Sequence, residues 1–110
     1  MEQILLVLTN LPDTESARSL ARVLVESRLA ACVNLMPGVQ SVYRWKGEIE
    51  QASEITLLIK TTQRHYAKLQ QAIVSHHPYE LPEVIALPIS EGHTPYLHWV
   101  ARETAADDHA

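Results

Sequence analysis

The sequence predicts an α+β sandwich in which two helices cover one face of a four-stranded antiparallel sheet. Three observations predict it. Periodic segments come in the order strand, helix, strand, strand, helix, strand, with a short helix after the last strand. The two middle strands meet at a tight polar turn, so they form one long β-hairpin. No internal repeat and no composition break divides the 110 residues. The β-α-β-β-α-β order is the split βαβ of ferredoxin-like domains. It is expected to occupy residues 1–110 as a single domain, with 103–110 as a frayed, acidic tail.

Each element has a local cause. Ile4-Leu5-Leu6-Val7-Leu8-Thr9 is an unbroken apolar run of strand length, which predicts a central strand buried on both faces. Asn10-Leu11-Pro12-Asp13 is turn chemistry. A helix over Thr14–Arg28 follows, capped by Asp13 or Thr14, with Glu15 beside its positive dipole end. Ala17, Leu20, Ala21 and Leu24 recur at i, i+3, i+4 and i+7, a single buried stripe, while Arg18, Arg22 and Glu26 face away.

The stretch Ala31–Thr61 holds the hairpin, its tip at Lys46-Gly47-Glu48. Gly47 supplies the positive φ of a tight turn, and Pro37-Gly38 marks the first arm as an edge strand that bends. Cys32–Trp45 would span roughly 45 Å as a strand, whereas the first helix spans about 22 Å. One helical layer cannot cover such a hairpin. Val39, Val42, Tyr43, Trp45 and Ile49 then need another cover, and a second copy of the chain is the simplest one. The apolar first strand makes the same demand, because the sheet's other face has no helix expected on it.

Thr61 or Thr62 can cap the second helix, which buries Tyr66, Leu69, Ala72 and Ile73 and is stopped by Pro78. Val84–Ile89 is the last strand, and Pro88 places its end at the sheet margin. Thr94 caps the final short helix, with Pro95 at its first position and Leu97 and Val100 as anchors.

Composition narrows function. Hydrophobic content of 46% and charged content of 20% are those of a globular protein. A net charge of −4 without a Lys/Arg run argues against nucleic acid as a partner. No apolar run is long enough for a membrane span, and no signal-peptide pattern is present. A single cysteine fits a reducing cytoplasm. Nucleophile-elbow, Walker, dinucleotide-binding and zinc-protease motifs are absent, so no catalytic residue is assigned and a non-enzyme is expected. The central strands lack the aromatics of RNA-binding sheets.

The polar candidates are few. His76-His77 is the sharpest, because neutral imidazole suits Cu(II), Zn(II) and Ni(II). Adjacent helical residues do not face one another, so the rings converge only where the helix ends between them, as Pro78 permits. The plainer reading is a pair of histidines complementing a helix C-terminus. Cys32, in an apolar setting with no adjacent base, reads as a buried structural thiol. Glu80 and Glu83 form either the anionic rim of a pocket or a solvated loop. Tyr79, Tyr96 and Trp99 either line a cleft or simply pack. His65, His93, His98 and His109 read as surface or packing residues.

Taken together, R-L-A-A-C-V-N, P-G-V-Q-S-V-Y-R-W-K-G-E-I-E, E-I-T-L-L-I-K-T-T, S-H-H-P-Y-E-L-P-E-V-I-A-L-P-I and Y-L-H-W-V resemble the CutA divalent-cation tolerance family, in register from about Ile4 to Glu103. The resemblance implies a ferredoxin-like subunit in a tight homotrimer resembling the PII nitrogen-signalling proteins. It implies a cytoplasmic role in tolerance of copper and other divalent metals. Family metal ligands, a cysteine ending the first strand and two histidines of S-H-H-P, match Thr9, His76 and His77 here. Threonine is a poor copper ligand, so the expected site is a weak two-imidazole Cu(II) site or one completed by another subunit. The competing expectation is a PII-like signalling or scaffold trimer that binds a small anionic molecule or a protein in clefts between subunits.

Overall fold

β1 (Ile4–Leu11) is the strand on which the sheet is laid, since it pairs antiparallel with β3 (Glu48–Thr62) on one side and β4 (Ile85–Pro88) on the other. β2 (Cys32–Trp45) pairs with β3, giving the order β2-β3-β1-β4. The computed structural model describes residues 2–105. Its helices are α1 (Thr14–Glu26), α2 (Tyr66–His76) and α3 (Thr94–Thr104), and one 3-10 turn, Gln63–His65, precedes α2. This is the expected α+β, ferredoxin-like arrangement, with β1 central and the hairpin's first arm at the edge.

Leu5, Val7 and Leu11 of β1 meet Leu57 and Ile59 of β3 beneath Ala17, Leu20 and Leu24 of α1 and Leu69 and Ile73 of α2. The buried residues of α1 are those of the expected stripe. Asp13 is its cap, with Oδ1 accepting the Ser16 N–H at 2.7 Å. A buried leucine contributes roughly 1.5–3 kcal/mol and a cap about 1 kcal/mol, so packing rather than capping holds α1. The helix stops two residues before the expected Arg28, which takes a left-handed φ of 62°. Neither Thr61 nor Thr62 caps α2. β3 runs on through both, and the Thr62 hydroxyl instead meets His65 Nδ1 at 2.6 Å.

The turn is tighter than expected. Glu48 already pairs with Trp45, leaving Lys46 and Gly47 as a two-residue loop with φ of 50° and 83°. Two successive positive φ values define a type I′ turn, whose twist matches the strands it joins. The register slips between Met36 and Val39, at Pro37-Gly38, where Gly38 has φ 74°. The hairpin gives the molecule its 48 Å long axis.

The second sheet face corrects one expectation. Ile4, Leu6 and Leu8 alternate with the core residues of β1, and register places Lys60, Leu58, Cys32, Asn34 and Met36 beside them. α3 packs across one end of this face, against β3 and β1, and buries Val100 and Thr104 completely. It is longer than expected: Glu103 and Thr104 are helical, not tail, and residues 106–110, with His109, lie outside the described residues. Beyond α3 the face is open, and Met36, Ile85 and Leu87 are exposed.

Cys32 is half-buried rather than enclosed. It stands opposite Lys60, whose Nζ lies 3.9 Å from Sγ and also donates to Asn34 Oδ1. Burial and the adjacent Cys32 together push the Tyr96 phenol up. The basic neighbour was hidden in the sequence because it sits 28 residues away on the partner strand.

Gly47→Val places a β-branched side chain at a left-handed position, which costs about 1–2 kcal/mol. Urea unfolding at fixed protein concentration should show that loss, and an unchanged midpoint would contradict the turn assignment.

Candidate functional site

Asn10 is the penultimate residue of β1, and three other segments meet there. Asn10 Oδ1 accepts the Thr56 hydroxyl of β3 at 2.6 Å, and Asn10 Nδ2 donates to Glu83 Oε1 at 3.3 Å in the connection before β4. The Asn10 carbonyl lies 2.7 Å from His77 Nε2, at the end of α2. His77 Nδ1 accepts the Tyr79 backbone N–H at 3.1 Å. A carbonyl only accepts and an amide N–H only donates, so His77 is the neutral Nε2–H tautomer. Burial lowers its pKa below the usual 6.5, against opposing contributions from the Asn10 carbonyl and Glu54. A proton on Nδ1 would also face the Tyr79 N–H.

His76 is held differently. It is exposed, and its Nδ1 donates back along α2 to the Ala72 carbonyl at 2.8 Å. That leaves the Nε2 lone pair of His76 without a partner among the described residues. Pro78 does end α2 at His76, with His77 in extended backbone, but the Nδ1 of His76 and the Nε2 of His77 are turned to different carbonyls. Thr9 is fully buried on the helix-covered face, and its hydroxyl has no hydrogen-bond partner. For a metal ion these residues present one open donor, His76 Nε2. His77 has both nitrogens engaged, and Thr9 offers a neutral hydroxyl. No group of three or more His, Cys, Asp or Glu stands ready to hold a metal among the described residues. A closed three-ligand cage does not fit this chain alone.

Beside the Asn10 junction lies a cleft of about 510 Å³ between the outer half of the hairpin and the segment Pro78–Glu83. Tyr43, Trp45 and Glu54 form one wall, and Tyr79 and Glu83 the other. Tyr79 donates its hydroxyl to Glu54 Oε2 at 2.8 Å, and burial with that bond pushes its phenol well above the usual range. Lys46, at the hairpin turn, reaches Glu80 Oε2 at 3.5 Å across the mouth. Both side chains are exposed, so this pair contributes little to stability. Of the candidates read from sequence, Tyr79, Glu80 and Glu83 are gathered here. Tyr96 and Trp99 stack on each other at 5.6 Å in α3 and take no part. Asn10, Glu54 and Thr56 were missed. Asn10 reads as part of a turn, and Glu54 as the polar start of a strand. Only the cross-strand register puts them side by side.

Comparison with known proteins gives a consistent answer. The family model described as CutA1 divalent ion tolerance protein matches residues 5–103. The chain is similar to the divalent-cation tolerance protein CutA of Thermus thermophilus, 47% identical over 104 residues, covering 94% of this chain and 99% of that protein. It is similar to the crystal structure of CutA from Xylella fastidiosa, with TM-score 0.90 and 45% identity over 93% of this chain and 98% of that one. It is also similar to a structure described as the periplasmic divalent cation tolerance protein CutA from Archaeoglobus fulgidus, with TM-score 0.88 and 31% identity, covering 96% and 100%.

Two variants test the junction. A histidine whose folded pKa is depressed stabilises the fold in its neutral form. That contribution is complete above about 6.5, the free-imidazole value, and is lost as pH falls through the lower folded value. Half-buried His65, also lowered by burial, acts in the same sense. His77→Gln should therefore melt lower at pH 7.5 and lose less on going to acid than the parent chain. An identical pH dependence would contradict the assignment. Thr9→Val removes a buried unpaired hydroxyl and should raise stability by about 1–3 kcal/mol, read as a higher denaturation midpoint; a drop would mean that the hydroxyl has a partner.

Proposed function

Because the chain belongs to the CutA1 divalent ion tolerance family, we propose that it acts in divalent-cation tolerance as a non-enzymatic cytoplasmic homotrimer that binds Cu(II) or similar ions weakly. The observation that carries the metal reading is His76, whose Nδ1–H is tied to Ala72 and whose Nε2 stays open and exposed. In this reading His76 is the standing donor, and water or another copy of the chain supplies further positions. His77 joins only by giving up its bonds to Asn10 and Tyr79. Affinity is therefore modest and falls in acid, because a protonated imidazole cannot serve as a ligand.

Assembly is supported by what one chain leaves bare. Met36, Ile85 and Leu87 lie exposed beyond α3, and Val42 and Ile49 are more than half exposed on the outer hairpin. A second reading is favoured by the cleft: a PII-like signalling or scaffold trimer that takes a small molecule beside Asn10.

Light scattering at micromolar concentration should give three times the 12.4 kDa chain mass, and Ile49→Glu, on the exposed side of the outer hairpin, should weaken the assembly and lower its melting temperature. A monomer would contradict the trimer. In calorimetric titration with Cu(II), His76→Ala should abolish most of the heat, and His77→Ala should reduce it less. Equal binding by the parent chain and a His76/His77 double alanine variant would remove both histidines from the proposal.

A further inference from the structure

We propose that the cleft beside Asn10 binds an organic ammonium ion, with the Glu54 carboxylate as its counter-charge and the rings of Tyr43, Trp45 and Tyr79 as its walls. The proposal rests on the small-molecule reading above and names the ligand's chemistry.

Glu54 is the anchor. It is only 6% exposed, yet it lines the cleft. Its Oε2 accepts the Tyr79 hydroxyl, and no donor reaches Oε1 among the described residues. The side chain has little exposed surface, and the oxygen left without a donor keeps an open side, where a positive partner would be favoured. Glu54 has one neutral hydrogen bond and no ion pair among the described residues. The nearby cations do not fill the role. Lys46 is turned to Glu80 and lies 5.4 Å over the Trp45 ring. Arg44 belongs to the lining but has no ion pair with Glu54.

Charge and shape then select the ligand class. Glu54, Glu80 and Glu83 outnumber Arg44 in the lining, so the cleft disfavours the anion expected for a PII-like site. A bare divalent ion needs several converging oxygen or nitrogen donors, and no such group is present among the described residues. An organic ammonium needs one carboxylate and aromatic faces, which attract it through the ring quadrupole. A cleft of about 510 Å³ falls within the usual size of small-ligand sites.

The test is calorimetric titration of the full chain with choline, with putrescine and with 3,3-dimethylbutan-1-ol, the neutral analogue of choline. Inorganic phosphate and an adenine nucleotide are the anionic arms. Choline or putrescine should bind, the neutral alcohol should not, and Glu54→Gln should weaken ammonium binding about tenfold while keeping an acceptor for Tyr79. Tyr43→Leu, on an exposed wall residue, should weaken it several-fold and serves if Glu54→Gln fails to fold. Equal binding of choline and the alcohol would overturn the proposal, as would unchanged binding in Glu54→Gln. Binding of phosphate or nucleotide without either ammonium would overturn the amine assignment and leave the small-molecule reading standing. No binding by any probe would remove both.

Discussion

One side chain and one carbonyl at the end of β1 hold the functional end of this molecule together. Asn10 bonds to β3 through Thr56, to the β4 connection through Glu83 and to the end of α2 through His77. These bonds are part-buried or exposed, and each contributes about 1 kcal/mol, so no single link dominates. Their common origin at Asn10 matters more. It fixes where α2 stops relative to the sheet, and the segment Pro78–Glu83 is then laid against the hairpin to form the cleft. His77 is part of this framework before it is anything else. Its tautomer is set by Asn10 and Tyr79, and its neutral form is the one the fold uses.

The second constraint is a mismatch of lengths. β2 and β3, of 14 and 15 residues, outrun helices of 13 and 11. The outer hairpin therefore projects beyond the helical layer and turns its face toward the Pro78–Glu83 segment. Trp45 is half-buried there, whereas Val42 and Ile49 are left to solvent in one chain. The same geometry thus creates a cleft on one side and uncovered apolar surface on the other. The proposed metal-holding assembly and small-molecule site are compatible uses of it, because the exposed His76 is not among the residues that line the cleft around Glu54.

The fold was legible because its causes are local and repeated. The stripe of Ala17, Leu20, Ala21 and Leu24, the Gly47 turn and the Pro78 stop each act within a few residues, and each is seen in the structure. What was not legible depends on pairing across the sheet. The approach of Lys60 to Cys32 spans 28 residues, and the bond from Thr56 to Asn10 spans 46. The extension of α3 through Thr104 was obscured by a composition that reads as tail, though Thr104 is buried and its hydroxyl bonds back to Val100. The S-H-H-P motif drew attention to two histidines as a pair. Their hydrogen bonds give one of them to the framework and leave the other open, a difference that spacing cannot carry.

The division of labour between His76 and His77 underlies both the framework and the proposed metal site. Nitrogen-15 NMR of the two imidazoles at pH 7, followed through addition of Cu(II) below one equivalent, reads it directly. His77 should appear as the Nε2–H tautomer and His76 as the Nδ1–H tautomer. Cu(II) should broaden the His76 signals first, while those of His77 persist. His77 in the Nδ1–H form, or loss of both sets of signals at the same metal ratio, would contradict it.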